Sequence, residues 1–429
     1  MVGLLDAVAA AGVLAVMDLP AASRAARAWR IVVAGAGLPS LVFGLAVKAG
    51  VGDAADIVIL DPRAAVAHPD GRAYALSGAS VDLLRRLGLW DGLSNLAQPI
   101  REMRITDSRL GDAVRQTYLR FGGETGAEPL AHMMEARPLA ERLAEACRDA
   151  GVRIEAGSVD HVARAGSHTV ASGQALAETA ASLVVAADGA RSRLRDEAGL
   201  GWVSVPYRQS ALVGTIGHAH DHAGVAIQHF LPAGPFAILP LPGSGRLMPH
   251  RSSIVWTERA DAARRLIEGP QDEMAKALAA RFGPGFGEAV AERPLRALPL
   301  AAGLARSFVA PRLVLLGDAA HEIHPLAGQG LNLGLADAAA LADRVVASIR
   351  LGLDPGRPEV LRDYERARRP AAVALAALTD GLNRLFSTDA IPVRALRDIG
   401  LGLVDASGAT RGFLGEAASG RTRVRARSS

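Results

Sequence analysis

Three separated segments end the same way. "RIVVAGAG" from Arg30, "SLVVAADGARSR" from Ser182 and "RLVLLGDAA" from Arg312 are each a short apolar, β-branched run that stops at glycine or aspartate. Continuous apolar runs of this kind suit central parallel strands covered on both faces. Between them lie stretches with helical periodicity, such as "VDLLRRLGLW" at 81–90 and "PLAERLAEACRDAG" at 138–151. Strands alternating with helices predict a doubly wound α/β sheet. The ends of such strands are where ligands bind.

A different texture fills 202–300. "ALVGTIGHAH", "VAIQHFLP", "FAILPLP" and "SSIVWTER" are short runs punctuated by proline and glycine. They predict a second, mostly antiparallel sheet inserted between the second and third parallel strands, with about 106–130 contributing to it. The expected organisation is an N-terminal extension at 1–29, a nucleotide-binding domain at 30–201 and a substrate domain at 202–300. The nucleotide-binding domain resumes at 301–345, and a helical region with the basic tail "RTRVRARSS" completes 346–429.

Composition narrows the class. Of 429 residues, half are hydrophobic and 21% charged, which is ample for two packed units and not the profile of a disordered chain. The single cysteine, Cys147, rules out an internal disulfide and reads as a small buried side chain in a reducing compartment. Basic residues are spread out with few aromatics among them, which argues against a nucleic-acid groove. The apolar run 7–17 lacks the basic start of a secretory signal and is too short to span a bilayer. A cytoplasmic protein is expected, with peripheral contact at the inner face of the cytoplasmic membrane allowed.

The first turn carries Gly35 and Gly37 between strand and helix, with Ser40 where a third glycine would stand. The first glycine permits a tight turn, the second lets a pyrophosphate approach the backbone, and the helix N-terminus supplies amide donors. The next strand, "ADIVILD", ends at Asp61, placed to accept ribose hydroxyls. NAD and FAD both satisfy this arrangement. Further on, Asp188 and Gly189 end one strand, and Gly317 and Asp318 end another. Pro325 then makes a rigid corner before Gly328, Gln329, Gly330, Leu331 and Asn332 at a helix start.

These motifs, with "GRAYALSGASVDLLRRLGLW" at 71–90 and "DYERARRP" at 363–370, resemble the single-component FAD aromatic hydroxylases and, within them, the ubiquinone-biosynthesis hydroxylases. The resemblance runs from about 30 to 390 and implies FAD at both aspartate-glycine pairs. Asp318 would hold the ribityl chain, and "PLAGQGLN" would line the pyrimidine edge of the flavin. There a helix N-terminus suits the negative charge of the reduced ring. Arg72 and Arg137 match family positions that approach the cofactor, with a surface ion pair as the alternative for each.

The implied reaction uses NADPH or NADH as a transient reductant, and O2 adds to give a flavin hydroperoxide that hydroxylates a phenol ring. The implied substrate is a polyprenylated phenol intermediate of ubiquinone synthesis, with other proteins of that pathway as partners. "FLPAGPFAILPLP" supports this choice through its apolar surface. Two alternatives stay open: a hydroxylase of a small soluble aromatic acid, and a catalytically weak accessory subunit. No acid-base catalytic side chain is identifiable. His218, His220 and His222 alternate, which on a strand would give one solvated face in preference to a metal site, and "HEIH" at 321–324 lacks zinc-motif spacing. No metal is expected.

Overall fold

The computed structural model describes residues 28–63, 72–107, 117–124, 126–231, 233–324 and 329–386. The apolar run 7–17, the basic tail, Pro325 and Gly328 lie outside them.

Among the described residues, one sheet runs in the order Val309–Ala310, Leu313–Leu315, Leu183–Ala186, Trp29–Ala34, Ala55–Asp61, Arg153–Ala156. All its pairings are parallel except the outermost, where Val309–Ala310 turns back on Leu313–Leu315. Val32 stands opposite both Val184 and Val58, so the three apolar runs form the centre of the sheet. Ile31, Val32 and Val33 are fully buried because helices and a separate three-stranded antiparallel sheet, in the order Leu176–Ala181, His168–Gly173, His161–Ala165, pack on the parallel sheet. The cover of the doubly wound sheet, expected to be helical on both faces, is thus partly a β-sheet. Two of these helices, Leu38–Val51 and Gln329–Arg350, cross closely: a Cβ on Gly50 would lie 2.6 Å from Val346 Cγ2. Cys147 packs here too; its Sγ reaches the Leu41 carbonyl at 3.2 Å and burial pushes its thiol pKa up to about 12.

The second sheet has the order His321–Glu322, Arg296–Ala305, Trp202–His218, His250–Arg259, Gly234–Leu241, Val225–Leu231, Glu102–Asp107, Thr117–Gly122, and Ala289–Ala291 also pairs with Trp202–His218. Its pairings are antiparallel except between Val225–Leu231 and Glu102–Asp107. Strand periodicity sorts its residues by face. Leu212, Ile216, Phe236, Ile238, Ile254 and Trp256 turn into a core with Leu278, Phe282 and Phe286. Their neighbours Ala211, Val213, Ala237, Leu239, Ser253 and Val255 look the other way, toward the parallel sheet.

The long helix Pro358–Phe386 ties the two sheets together. Buried Tyr364 donates from its hydroxyl to the Leu315 carbonyl at 3.0 Å in the first sheet, and Asn383 Nδ2 donates to Gln209 Oε1 at 3.1 Å in the second. The alternation expected of His218, His220 and His222 does not occur, because the strand ends at His218. His218 is buried, with Nδ1 against the His220 carbonyl at 2.8 Å and Nε2 against Ser252 Oγ at 2.9 Å, so its nitrogens are committed to the protein.

Candidate active site

A cavity of about 470 Å³ lies between the ends of the parallel strands and the face of the second sheet turned away from its own core. Its first wall starts at the turn after strand Trp29–Ala34. Gly35 has φ +98°, and a Cβ there would stand 2.3 Å from the Ala187 carbonyl oxygen, so only glycine lets the two strand ends approach. Gly37 caps the helix Leu38–Val51 in extended conformation and opens onto the cavity. Pro39 falls in the first helical turn, where a missing N–H costs nothing. Its ring also packs under the later motif, 3.4 Å from the Cβ position of Gly317. Ser40 is fully buried and its hydroxyl has no hydrogen-bond partner among the described residues.

Asp61 supports this turn directly. Oδ2 accepts from Ala36 N–H at 3.0 Å and Oδ1 from Arg63 N–H at 2.9 Å. Asp188 acts in a similar way one strand over: Oδ2 accepts from the Arg193 and Leu194 amides at 2.9 and 3.4 Å. Its neighbour Gly189, at φ +88°, lines the cavity.

Gly317, Asp318, Gly330 and Leu331 line the cavity as well, which brings the third strand end and the start of helix Gln329–Arg350 to the same wall. Asp318 is exposed at its surface and lines the cavity, with protein packed densely around it. Desolvation pushes its carboxyl pKa up, with His321 and Arg72 acting in the opposite direction. Arg72 lines the cavity nearby, whereas Arg137 does not: its guanidinium is 74% exposed and pairs with Glu141 at 2.8 Å. Asn332 also turns away from the cavity. Its Oδ1 accepts from Ser77 N–H and Ser80 Oγ–H at 2.9 and 2.7 Å, and its Nδ2 donates to the Ala75 carbonyl at 2.8 Å, locking the helix start to strand Ala73–Ser77.

Sequence reasoning missed the residues that join these motifs. Arg195, 3% exposed, donates to the Ala190 carbonyl at 2.9 Å and the Ala319 carbonyl at 3.3 Å, and its guanidinium lies 3.9 Å over Trp202. His321 Nε2 meets Asp337 Oδ2 at 2.5 Å, and Arg368 Nε donates to Asp337 Oδ1 at 2.6 Å. The "HEIH" and "DYERARRP" segments thus meet on one buried carboxylate. Glu322 also lines the cavity, its carboxyl pKa raised by desolvation and by the charge of Asp318. Charge at suggestive positions was the available signal; the partners are far apart in sequence.

The wall fits a dinucleotide. A Cβ on Gly189 or Gly330 would meet nothing within 4 Å, and one on Gly37 only Pro39 Cδ at 3.7 Å, so these glycines leave room on the ligand side instead of serving internal packing. A helix start, free backbone approach and the Asp318 carboxylate supply donors and an acceptor for phosphates and a polyol.

A family model for the FAD binding domain matches residues 29–379. Ubiquinone hydroxylase UbiL of Rhodospirillum rubrum is 42% identical over 358 residues, 81% of this chain and 79% of that protein. The 3-demethoxyubiquinol 3-hydroxylase of Escherichia coli (strain K12) is 31% identical over 351 residues, 81% of this chain and 86% of that protein. In fold, the chain is similar to p-nitrophenol 4-monooxygenase PnpA from Pseudomonas putida DLL-E4, with a TM-score of 0.74 and 20% identity over 92% of this chain and 98% of that one. With motifs at three strand ends converging on one cavity, the chain belongs to the FAD-dependent hydroxylases of ubiquinone biosynthesis.

Proposed function

We propose that this monooxygenase hydroxylates the aromatic ring of a polyprenylated phenol. The observation that carries this reading is the substrate-side wall. Ala211, Val213, Ala237, Leu239, Val255, Leu298 and Leu300 present an apolar surface, relieved by the hydroxyl of Ser253. Of the charged side chains lining the cavity, Arg72 and Asp318 come from the opposite wall, where Arg72 acts on Asp318, and Glu322 comes from the edge strand of the second sheet. An aromatic acid needs a cation among the substrate contacts. A prenyl chain needs apolar area, and each buried methylene contributes about 0.8 kcal/mol.

Bound FAD supplies the redox chemistry, taking electrons from NADPH or NADH and activating O2. The protein supplies position and exclusion. Gly35, Gly37, Ser40, Asp61, Gly189 and Asp318, with the helix start at Gln329, Gly330 and Leu331, would hold the cofactor. Asp188, Arg195 and Asn332 would fix the loops that carry those groups. Arg72 would add positive charge near Asp318. The apolar sheet face keeps water from the reacting atoms, which protects oxygen transfer against wasteful release of H2O2. A prenylated phenol partitions into membranes, so peripheral contact with the cytoplasmic membrane face, or delivery by other proteins of the pathway, is proposed as the source of substrate; no helix among the described residues is long and apolar enough to cross a membrane.

The test compares NAD(P)H oxidation, with H2O2 measured alongside, for a prenylated phenol and for 4-hydroxybenzoate. Coupled hydroxylation of the prenylated phenol is expected. Tight coupling with the soluble acid, while the prenylated phenol yields only H2O2, would overturn the assignment.

A further inference from the structure

The face of the second sheet that lines the cavity continues past its apolar lining. On strand His250–Arg259, Ser253 and Val255 line the cavity, and Thr257 follows in the same period. Thr257 stands opposite Ala211, another lining residue, and Gln209 precedes Ala211 on the same face. The side chains of Thr257 and Gln209 meet over Gly234: a Cβ there would be 2.5 Å from Thr257 Cγ2 and 3.1 Å from Gln209 Nε2. Asn383 reaches this point from the long helix through its bond to Gln209.

From the edge of the same sheet, just past strand His321–Glu322, Ile323 lines the cavity and His324 follows it, packing edge-on against Tyr207 with ring centroids 5.1 Å apart. Asp380, one turn before Asn383, acts electrostatically on His324. Thr257 and His324 are 2% and 1% exposed. Neither the Thr257 hydroxyl nor either nitrogen of His324 has a hydrogen-bond partner among the described residues. Buried polar groups are rarely left so without a reason. Desolvation lowers the His324 pKa to about 4, so at neutral pH the ring offers one N–H donor and one acceptor nitrogen.

We propose that His324 and Thr257, each close along the chain to a lining residue but closed off from the cavity here, become its polar end when substrate binds and hydrogen-bond the oxygen substituents of the aromatic ring, leaving the apolar strands to hold the prenyl chain. The inference rests on the prenylated-phenol reading. It orients that substrate: Ile323, the neighbour of His324, lines the cavity together with Gly330 and Leu331 of the opposite wall, so the oxygenated ring would be held toward that wall with the tail along the apolar strands.

The test uses full-length, FAD-loaded protein and the variants His324→Leu, His324→Gln and Thr257→Val, with substrate dissociation constant, FAD affinity, coupling and Tm measured for each. In His324→Leu, the dissociation constant for the prenylated phenol should rise about tenfold or more, while FAD affinity is unchanged and Tm is equal or higher, because an unmatched polar group has been replaced by an apolar one. His324→Gln, which keeps a donor and an acceptor, should recover part of the loss. Thr257→Val should weaken a phenol bearing an adjacent oxygen more than one without it. Wild-type binding and coupling in His324→Leu would overturn the inference while leaving the prenylated-phenol reading intact. A fall in Tm and flavin content would make His324 structural and overturn it as well. Failure of the wild-type protein to bind the prenylated phenol would remove the underlying reading before any variant is made.

Discussion

The parallel sheet meets the cavity with its strand ends, whereas the second sheet meets it with a strand face. At the strand ends, backbone does the contacting: Gly37, Gly189 and Gly330 line the cavity because they carry no side chain. Along the face, alternate side chains do it, as with Ala211 and Val213 or Ser253 and Val255. A backbone site tolerates few residue types at each position, because a Cβ collides with a neighbouring chain or fills ligand space. A side-chain face asks only for a size and polarity, which many residues meet. One wall should therefore break when substituted, and the other should retune.

The largest effect is expected at Gly35→Ala. The substitution places a Cβ against the Ala187 carbonyl at a left-handed φ, so the purified protein should lack flavin or fail to fold, as absorbance near 450 nm and circular dichroism will show. A flavin-replete, normally folded variant would remove the distinction between the walls. Next is Asp337→Ala, which leaves His321 and Arg368 without their shared buried partner. Breaking such a pair costs about 3–5 kcal/mol, measurable by denaturant unfolding.

Asp318→Asn separates binding from stability. Loss of the charged acceptor should weaken FAD binding at least about tenfold in a fluorescence titration. Its effect on the apoprotein runs the other way. Because the folded carboxyl pKa is raised, the folded state binds more protons than the unfolded one as pH climbs through the carboxylate range, and stability falls with rising pH until the folded group has ionised. Apo Asp318→Asn should therefore melt above wild type at neutral pH, and the difference should vanish toward acid. The smallest effect is expected on the second wall. Leu239→Ala should raise KM for a prenylated phenol a few-fold while leaving FAD affinity unchanged; an equal loss of FAD affinity would show that the walls do not act separately.

The same contrast explains which parts of the fold could be read in advance. The strand ends at Gly35, Gly189 and Asp318 were legible because each motif is local, with strand, turn and helix start following within a few residues. The antiparallel sheet was legible as texture, but its helper strand Glu102–Asp107 joins by a parallel pairing that no local pattern specifies. The histidines of "GHAHDHAG" misled because periodicity holds only while the strand lasts, and it ends at the first of them. Asn332 and Asp188 were recognisable as motif residues, yet their side chains hold neighbouring chain segments and do not line the cavity.

By itself, the sequence determined the α/β fold, the glycine turns at the strand ends and the inserted sheet, because backbone geometry at glycine and the burial of β-branched runs are set by residues close together in the chain. Only the tertiary structure decided which side chains share a cavity or a buried charge. Arg368 finds Asp337, and His324 comes to lie beside Tyr207 and Asp380, through the packing of elements whose separation in sequence carries no distance information. The approach of His324 to Tyr207 and of Asn383 to Gln209 follows from that packing alone.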